Sequence, residues 1–142
     1  MSNRFHLAIP AGDLTIAKKF YCDLLGCEQG YEEINEQDSW VDIDFWGNEL
    51  TLHQTTTQKL PQVIHHVDMG YVSVPHFGIH LEGNVFQILK EKLINNNITF
   101  LEKPYVRFKG SEQEQETMFI VDPNDNVLEI KTMKNPNMLF PK

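Results

Sequence analysis

The sequence predicts an α+β protein built from two tandem β-α-β-β-β modules, their sheets mixed or antiparallel and curved into a cup. Three observations carry this. Short runs of alternating apolar and polar residues mark strands, and two longer runs carry helical spacing. The order strand, helix, three strands occurs twice. The connections inside each half are short, so antiparallel neighbours are expected. A chain of 142 residues suits one compact domain. Module 1 is expected over about 4–54, a linker over 55–73, module 2 over about 74–131, and a short tail over 132–142.

In module 1, "RFHLAIP" at 4–10 alternates, with Phe5, Leu7 and Ile9 on one face and Arg4, His6 and Ala8 on the other. Pro10 and Gly12 break the strand, and Asp13 can cap a helix over 14–25. Leu14, Ala17, Tyr21 and Leu24 recur at helical spacing, and Gly26 is the natural stop. Strands follow at 28–34 (weakly patterned), 39–45 and 49–54. "WGN" between the last two suits a hairpin turn, because Gly and Asn tolerate positive φ.

Residues 55–73 read as a polar connection, long enough to act as a linker or a lid. Module 2 opens with "PHFGIHL" at 75–81. A helix follows over 84–95, with Val85, Ile88, Leu89 and Leu93 in a stripe. Strands are expected at 98–102, 117–122 and 127–131, with "DPND" turning between the last two.

The net charge is −8, from 20 acidic and 12 basic residues. Such a surface repels phosphate backbones and anionic lipid, which argues against nucleic-acid and membrane partners. No apolar run approaches the ~18 residues that span a bilayer, and "MSNRFHLAIP" carries no secretory core. The two cysteines, Cys22 at the end of the expected helix and Cys27 just beyond it, are poorly placed for a disulfide. A reducing, cytoplasmic setting is expected.

Alternation sorts the potential ligands. His6 lies opposite Phe5 and Leu7. His76, Gly78 and His80 lie opposite Phe77, Ile79 and Leu81. Glu49, Thr51 and His53 lie opposite Leu50 and Leu52, and Glu129 and Lys131 opposite Leu128 and Ile130. If the apolar faces cover helices, each module offers a His on its first strand and a Glu on its fourth, both on the polar side. Two imidazoles and one or two carboxylates make a good divalent-metal donor set. A lone strand His or Glu is more often solvated; the matched placement in two modules raises the functional reading to equal standing.

With "HLAIPAGDLTIAKKFYCDLLG" at 6–26, "VPHFGIHL" at 74–81 and "FIVDPNDNVLEIK" at 119–131, the chain resembles the vicinal oxygen chelate superfamily over nearly its whole length. That superfamily includes glyoxalase I, bleomycin-resistance proteins and extradiol dioxygenases. Within it, "RFKGSEQEQETMFIVDP" at 107–123 is similar to a group of small proteins described as predicted extradiol dioxygenases. The resemblance implies a glyoxalase-like fold, a homodimer, and a divalent metal held by His6, His76 and Glu129. Fe(II) or Mn(II) is favoured, with Zn, Ni or Co as alternatives. It also implies a small substrate bearing two vicinal oxygens. Three protein donors leave positions for that substrate and for O₂. The glyoxalase-type pattern adds Glu49 as a fourth ligand or a base, which suits Lewis-acid chemistry with a carboxylate moving protons. A non-catalytic binder of a small molecule is the third reading, which the four donor-type residues argue against.

The remaining polar residues have weaker claims. His53 lies on Glu49's face, two pleats along the strand, and is expected beside the substrate; surface exposure is the plain alternative. Gln115 and Thr117 alternate with Met118 and Ile120 and are expected to line the cup. Arg107 suits a substrate carboxylate, or else a surface ion pair. Lys131 shares the face of Glu129 and is an acid, a charge partner or an exposed strand end. For His65, His66 and His80, solvation is the stronger reading. Trp40 and Trp46 offer an apolar wall, with packing as the default.

Overall fold

The computed structural model describes residues 3–56, 61–67 and 70–142. The chain divides into two compact units, Met1–Pro61 with Asp122–Asn126, and Gln62–Val121 with Val127–Lys142.

The first unit runs β1 (His6–Gly12), α1 (Leu14–Lys18), a π-helical turn (Lys19–Leu24), β2 (Glu28–Glu33), β3 (Trp40–Phe45) and β4 (Asn48–Gln54). Asp13 caps α1 by accepting the Ile16 amide at 3.1 Å. The single helix expected over 14–25 is therefore two pieces. In the π turn the Leu25 amide reaches back five residues to the Phe20 carbonyl at 3.0 Å. The wider turn lets consecutive Phe20 and Tyr21 both point inward, their rings edge to face at 4.9 Å. Trp46 and Gly47, with φ of 47° and 90°, make the two-residue hairpin turn between β3 and β4.

The sheet order is β1-β4-β3-β2. β4 is antiparallel to β3 but parallel to β1, so the sheet is mixed rather than antiparallel throughout. The helical crossover after β1 brings the chain back in the same direction for β4. Ile9, Val41, Ile43, Leu50 and Leu52 are buried, with Leu14, Ala17 and Tyr21 of the helical segment. Leu24, expected in the helical stripe, is only half-buried, because the π turn rotates it off the sheet.

The second unit opens with a hairpin, β5 (Val63–Val67) and β6 (Gly70–Val74), where the sequence suggests an unstructured linker. The 57–60 and 68–69 parts of that expected linker lie outside the described residues. Then come β7 (Phe77–His80), α2 (Gly83–Asn95), β8 (Glu102–Arg107), β9 (Gln115–Val121), β10 (Val127–Met133) and a 3-10 turn (Pro136–Met138). The order β7-β10-β9-β8 repeats the first sheet, again with a parallel outer pair, β7 with β10. Phe86, Leu89 and Leu93 of α2 are buried. Val85 and Ile88, expected in that stripe, are exposed; Phe86 takes the inward place at the spacing of Leu89 and Leu93. The strand expected at 98–102 begins only at Glu102, its register shifted by an irregularity before Tyr105.

The turn 122–126 is a dense polar knot. Asp122 Oδ1 accepts the Asn124 and Asn126 amides, and Oδ2 accepts the Tyr21 hydroxyl at 2.7 Å and the Asn126 side chain. Asn124 and Asn126 both donate to the Pro10 carbonyl at 2.8 Å. Burial raises the Asp122 and Tyr21 pKa values, Asp122 adding to the Tyr21 rise. The Tyr21→Phe variant removes a buried donor from this carboxylate, and urea unfolding is expected to show a loss of about 1–3 kcal/mol.

Candidate functional site

The polar face of the first sheet is built around the β1–β4 pair. His6 and Glu49 are direct neighbours in the parallel register, and His6 Nδ1 lies 2.6 Å from Glu49 Oε1. Both side chains are open, 56% and 53% exposed. Thr51, two residues along on the same face, is buried and donates to Asp42 Oδ1 at 2.6 Å. His53 continues the face, is exposed, and pairs in register with Trp40.

The second pair is far better braced. His76 precedes β7, so it is not in the ladder; Gly78, two residues on, sits opposite Glu129. His76 Nε2 lies 3.3 Å from Glu129 Oε1, with side chains only 25% and 11% exposed. His76 Nδ1 is 2.8 Å from the Ser73 carbonyl. A carbonyl can only accept, so Nδ1 carries hydrogen and donates. Nε2 is thereby aimed at the carboxylate, as an N–H when the ring is charged and as a lone pair when it is neutral. The Phe119 ring meets the imidazole edge to face at 5.3 Å.

Glu129 is held from two sides. Its Oε2 accepts the Thr117 hydroxyl at 2.6 Å, and Lys131 Nζ stands 3.6 Å from Oε1. Burial alone would raise its pKa. The hydrogen bonds from His76 and Thr117 and the Lys131 charge outweigh burial and hold it at about 2. The hydrogen bond to Glu129 raises the His76 pKa. Burial and the Lys131 charge lower that of His80, which pairs with Lys131 in register.

Thr117, expected at the substrate, is fully buried with its hydroxyl committed to Glu129. It positions the carboxylate instead. Gln115 faces Arg107 across β8 and β9. The Gln115 Oε1 is buried without a hydrogen-bond partner among the described residues, and Arg107 lies over the Phe108 ring at 4.8 Å. His65 and His66 are on β5 and exposed, His66 against Tyr71 at 5.3 Å. Trp46 stacks edge to face on Phe45 at 4.8 Å. Sequence reasoning missed Ser73 and Asp42. Asp42 had a signal, its alternation within "SWVDIDF"; Ser73 had none, because it orients His76 through its backbone.

Each module thus sets one imidazole against one carboxylate. Among the described residues, no cluster of three or more His, Cys, Asp or Glu is gathered to hold a metal ion. The donor chemistry still fits one. A neutral His76 aims a lone pair at an ionised Glu129, an arrangement that a shared cation or proton stabilises. Both cysteines are free, and burial pushes the Cys27 thiol up to about 12, which makes it a poor ligand. No helix of the described residues is long and apolar enough to cross a membrane.

No family model matches the sequence, and no curated protein matches it. Solved structures do. A glyoxalase/bleomycin resistance protein/dioxygenase from Alicyclobacillus acidocaldarius is 32% identical, with a TM-score of 0.75 over 98% of this chain and 97% of its own. The genomically encoded fosfomycin resistance protein FosX from Listeria monocytogenes is 11% identical, with a TM-score of 0.61 over 93% and 92%. TnmS3, an antibiotic binding protein from Streptomyces sp. CB03234, is 15% identical, with a TM-score of 0.57 over 94% and 98%. The last two share the fold alone. The first match spans nearly the whole of both chains and shares the fold described above, at an identity that shows kinship. On those grounds the chain belongs to the glyoxalase/bleomycin resistance protein/dioxygenase family, within the vicinal oxygen chelate superfamily.

Proposed function

We propose that this protein is a divalent-metal-dependent enzyme acting on a small substrate with two vicinal oxygens, and that its reaction is extradiol-type ring cleavage. The observation that carries the metal reading is the His76–Glu129 pair, braced by the Ser73 carbonyl, the Thr117 hydroxyl and Lys131. A ligand pair locked from behind in this way loses little freedom when it binds an ion. The donors are His6, His76 and Glu129. Fe(II) or Mn(II) is the preferred ion and Zn, Ni or Co the alternatives. A bound ion of this kind supplies a Lewis-acidic centre that chelates both substrate oxygens and, if redox-active, activates O₂.

The chain's own groups do the rest. His76 presents Nε2 because Nδ1 is occupied. Thr117 engages Oε2 and leaves Oε1 turned toward His76. The hydrogen bonds from His76 and Thr117, with the Lys131 charge, keep that carboxylate ionised. Glu49 and His53 share an exposed polar face and can hold or pass a proton of the substrate hydroxyl. Arg107 and Gln115 are the proposed contacts for a polar substituent, the buried Gln115 oxygen being an open acceptor. The family resemblance and the free cysteines support a cytoplasmic homodimer.

A second reading has its own observation. Glu49 contacts His6 as Glu129 contacts His76, with a still shorter separation. If Glu49 is a fourth donor, fewer positions stay open and glyoxalase-like isomerisation or lysis is favoured. Two measurements separate them. Iron reconstituted anaerobically and then exposed to air with a catechol panel is expected to show oxygen uptake; none with any catechol overturns ring cleavage. Under ring cleavage, Glu49→Gln retains full metal occupancy; loss of about one ion in ten or more by metal analysis of matched samples transfers the assignment to the second reading.

A further inference from the structure

We propose that the second unit carries a separate pocket for a small ring-bearing organic cation, between the β5–β6 hairpin and the start of β8. A cavity of about 380 Å³ lies there, lined among others by Gly70, Tyr71, Val72, Phe100, Glu102 and Tyr105. That volume falls in the range of small-molecule sites. The proposal does not rest on the metal reading.

Register explains why the cavity exists. Val72 is buried against Phe119 and Val127, so β6 seats on the face of the second sheet that also carries Glu129. Glu102 lies opposite Phe119 in the β8–β9 register, and Tyr105 opposite Thr117; opposite residues share a face, so both turn toward the hairpin. The carboxylate comes close to the hairpin backbone: a Cβ on Gly70 would sit 2.6 Å from Glu102 Oε1 where that side chain now stands. The missing side chain leaves room for the carboxylate beneath the hairpin.

The lining decides the class of ligand. Phe100 and Tyr105 line the cavity, and the faces of such rings attract cations. Glu102 adds the inward negative charge. It is half-buried and takes no hydrogen bond or ion pair among the described residues. Lys103, which also lines the cavity, is exposed at its rim, where an ammonium is hydrated and screened. An apolar body with an ammonium matches rings plus a carboxylate. An anion meets Glu102, and a neutral ring leaves it unpaired. The net charge of −8 adds attraction for cations at long range.

The test is a two-dimensional amide NMR titration of the full chain with benzyltrimethylammonium, phenylacetate and benzyl alcohol at fixed ionic strength. Saturable shifts are expected at Gly70, Tyr71, Glu102 and Tyr105 with the cation alone. Glu102→Gln should weaken that binding about tenfold or more, and Tyr105→Leu several-fold; the rest of each spectrum reports that the variant is folded. The proposal is overturned by absent shifts, by phenylacetate or benzyl alcohol binding as well as the cation, or by an unaltered affinity in folded Glu102→Gln.

Discussion

Gly78→Ala is expected to cost roughly 3 kcal/mol or more, a drop of about 10 °C in Tm, and to lower metal affinity in the same variant. The reason is local. A Cβ on Gly78 would fall on the backbone carbonyl of Glu129, its partner in the parallel β7–β10 ladder. Backbone cannot swing aside as a side-chain tip can, so β7 must part from β10 or the ladder must buckle. Either response moves Glu129 away from His76, two residues up the chain. Gly83→Ala is the matched control. It stands at the start of α2 with nothing within 4 Å of a built Cβ, and is expected to be neutral or to stabilise by up to about 1 kcal/mol. Thermal melts of the two variants, with metal analysis, check the contrast. Equal melting temperatures would contradict the packing described for β7 and β10.

The second large effect is on acid and base behaviour. Glu129 titrates near 2 in the folded chain against 4.5 ordinarily, so its contribution is full above about 4.5 and is lost as pH falls toward 2. His76 is raised above 6.5, so its contribution is full below 6.5 and is lost as pH rises through the folded value. Stability of the metal-free protein should therefore be greatest between about 4.5 and 6.5 and should decline as pH rises through the raised His76 pKa. The acid limb is worth on the order of 2 kcal/mol for so buried a carboxylate. Glu129→Gln is expected to abolish that limb and to return the His76 titration toward 6.5, read by imidazole NMR. Because a metal takes His76 without its proton, affinity for Zn or Mn should rise with pH through the same range and release a proton on binding. His76→Ala should lose bound metal at every pH; full retention would dismiss the donor assignment.

Much of this was legible in the sequence because it depends on period two. The alternation in "HLAIP", "ELTLH" and "VLEI" places His6, Glu49, His53 and Glu129 on polar faces with no tertiary information. What escaped depends on contacts far apart in the chain. The parallel pairing of β1 with β4 and of β7 with β10 cannot be read from connection length between consecutive strands. Tyr21 reads as a plain helix-core residue until its hydroxyl is found on Asp122. Thr117 alternates like a pocket residue, yet its partner Glu129 lies across the next strand and consumes its hydroxyl. The hairpin of β5 and β6 hid in "VIHHVDMGYVSV" because five of its apolar residues stay exposed, so the usual sign of burial was missing. His76 looked like a strand residue matching His6, but its backbone bends at Pro75 and leaves the ladder, which is what frees Nδ1 for Ser73.

The neighbouring first and last strands of each module bear on when the proposed ion could bind. His6 meets Glu49, and His76 meets Glu129, only across ends 43 and 53 residues apart, a closure that must await a whole module and favours slow, non-local folding. On a ribosome, His76 would emerge well before its carboxylate. Under the proposed metal reading, the His76–Glu129 pair would then bind an ion only after β10 docks, and the ion taken up would reflect the pool the finished protein meets.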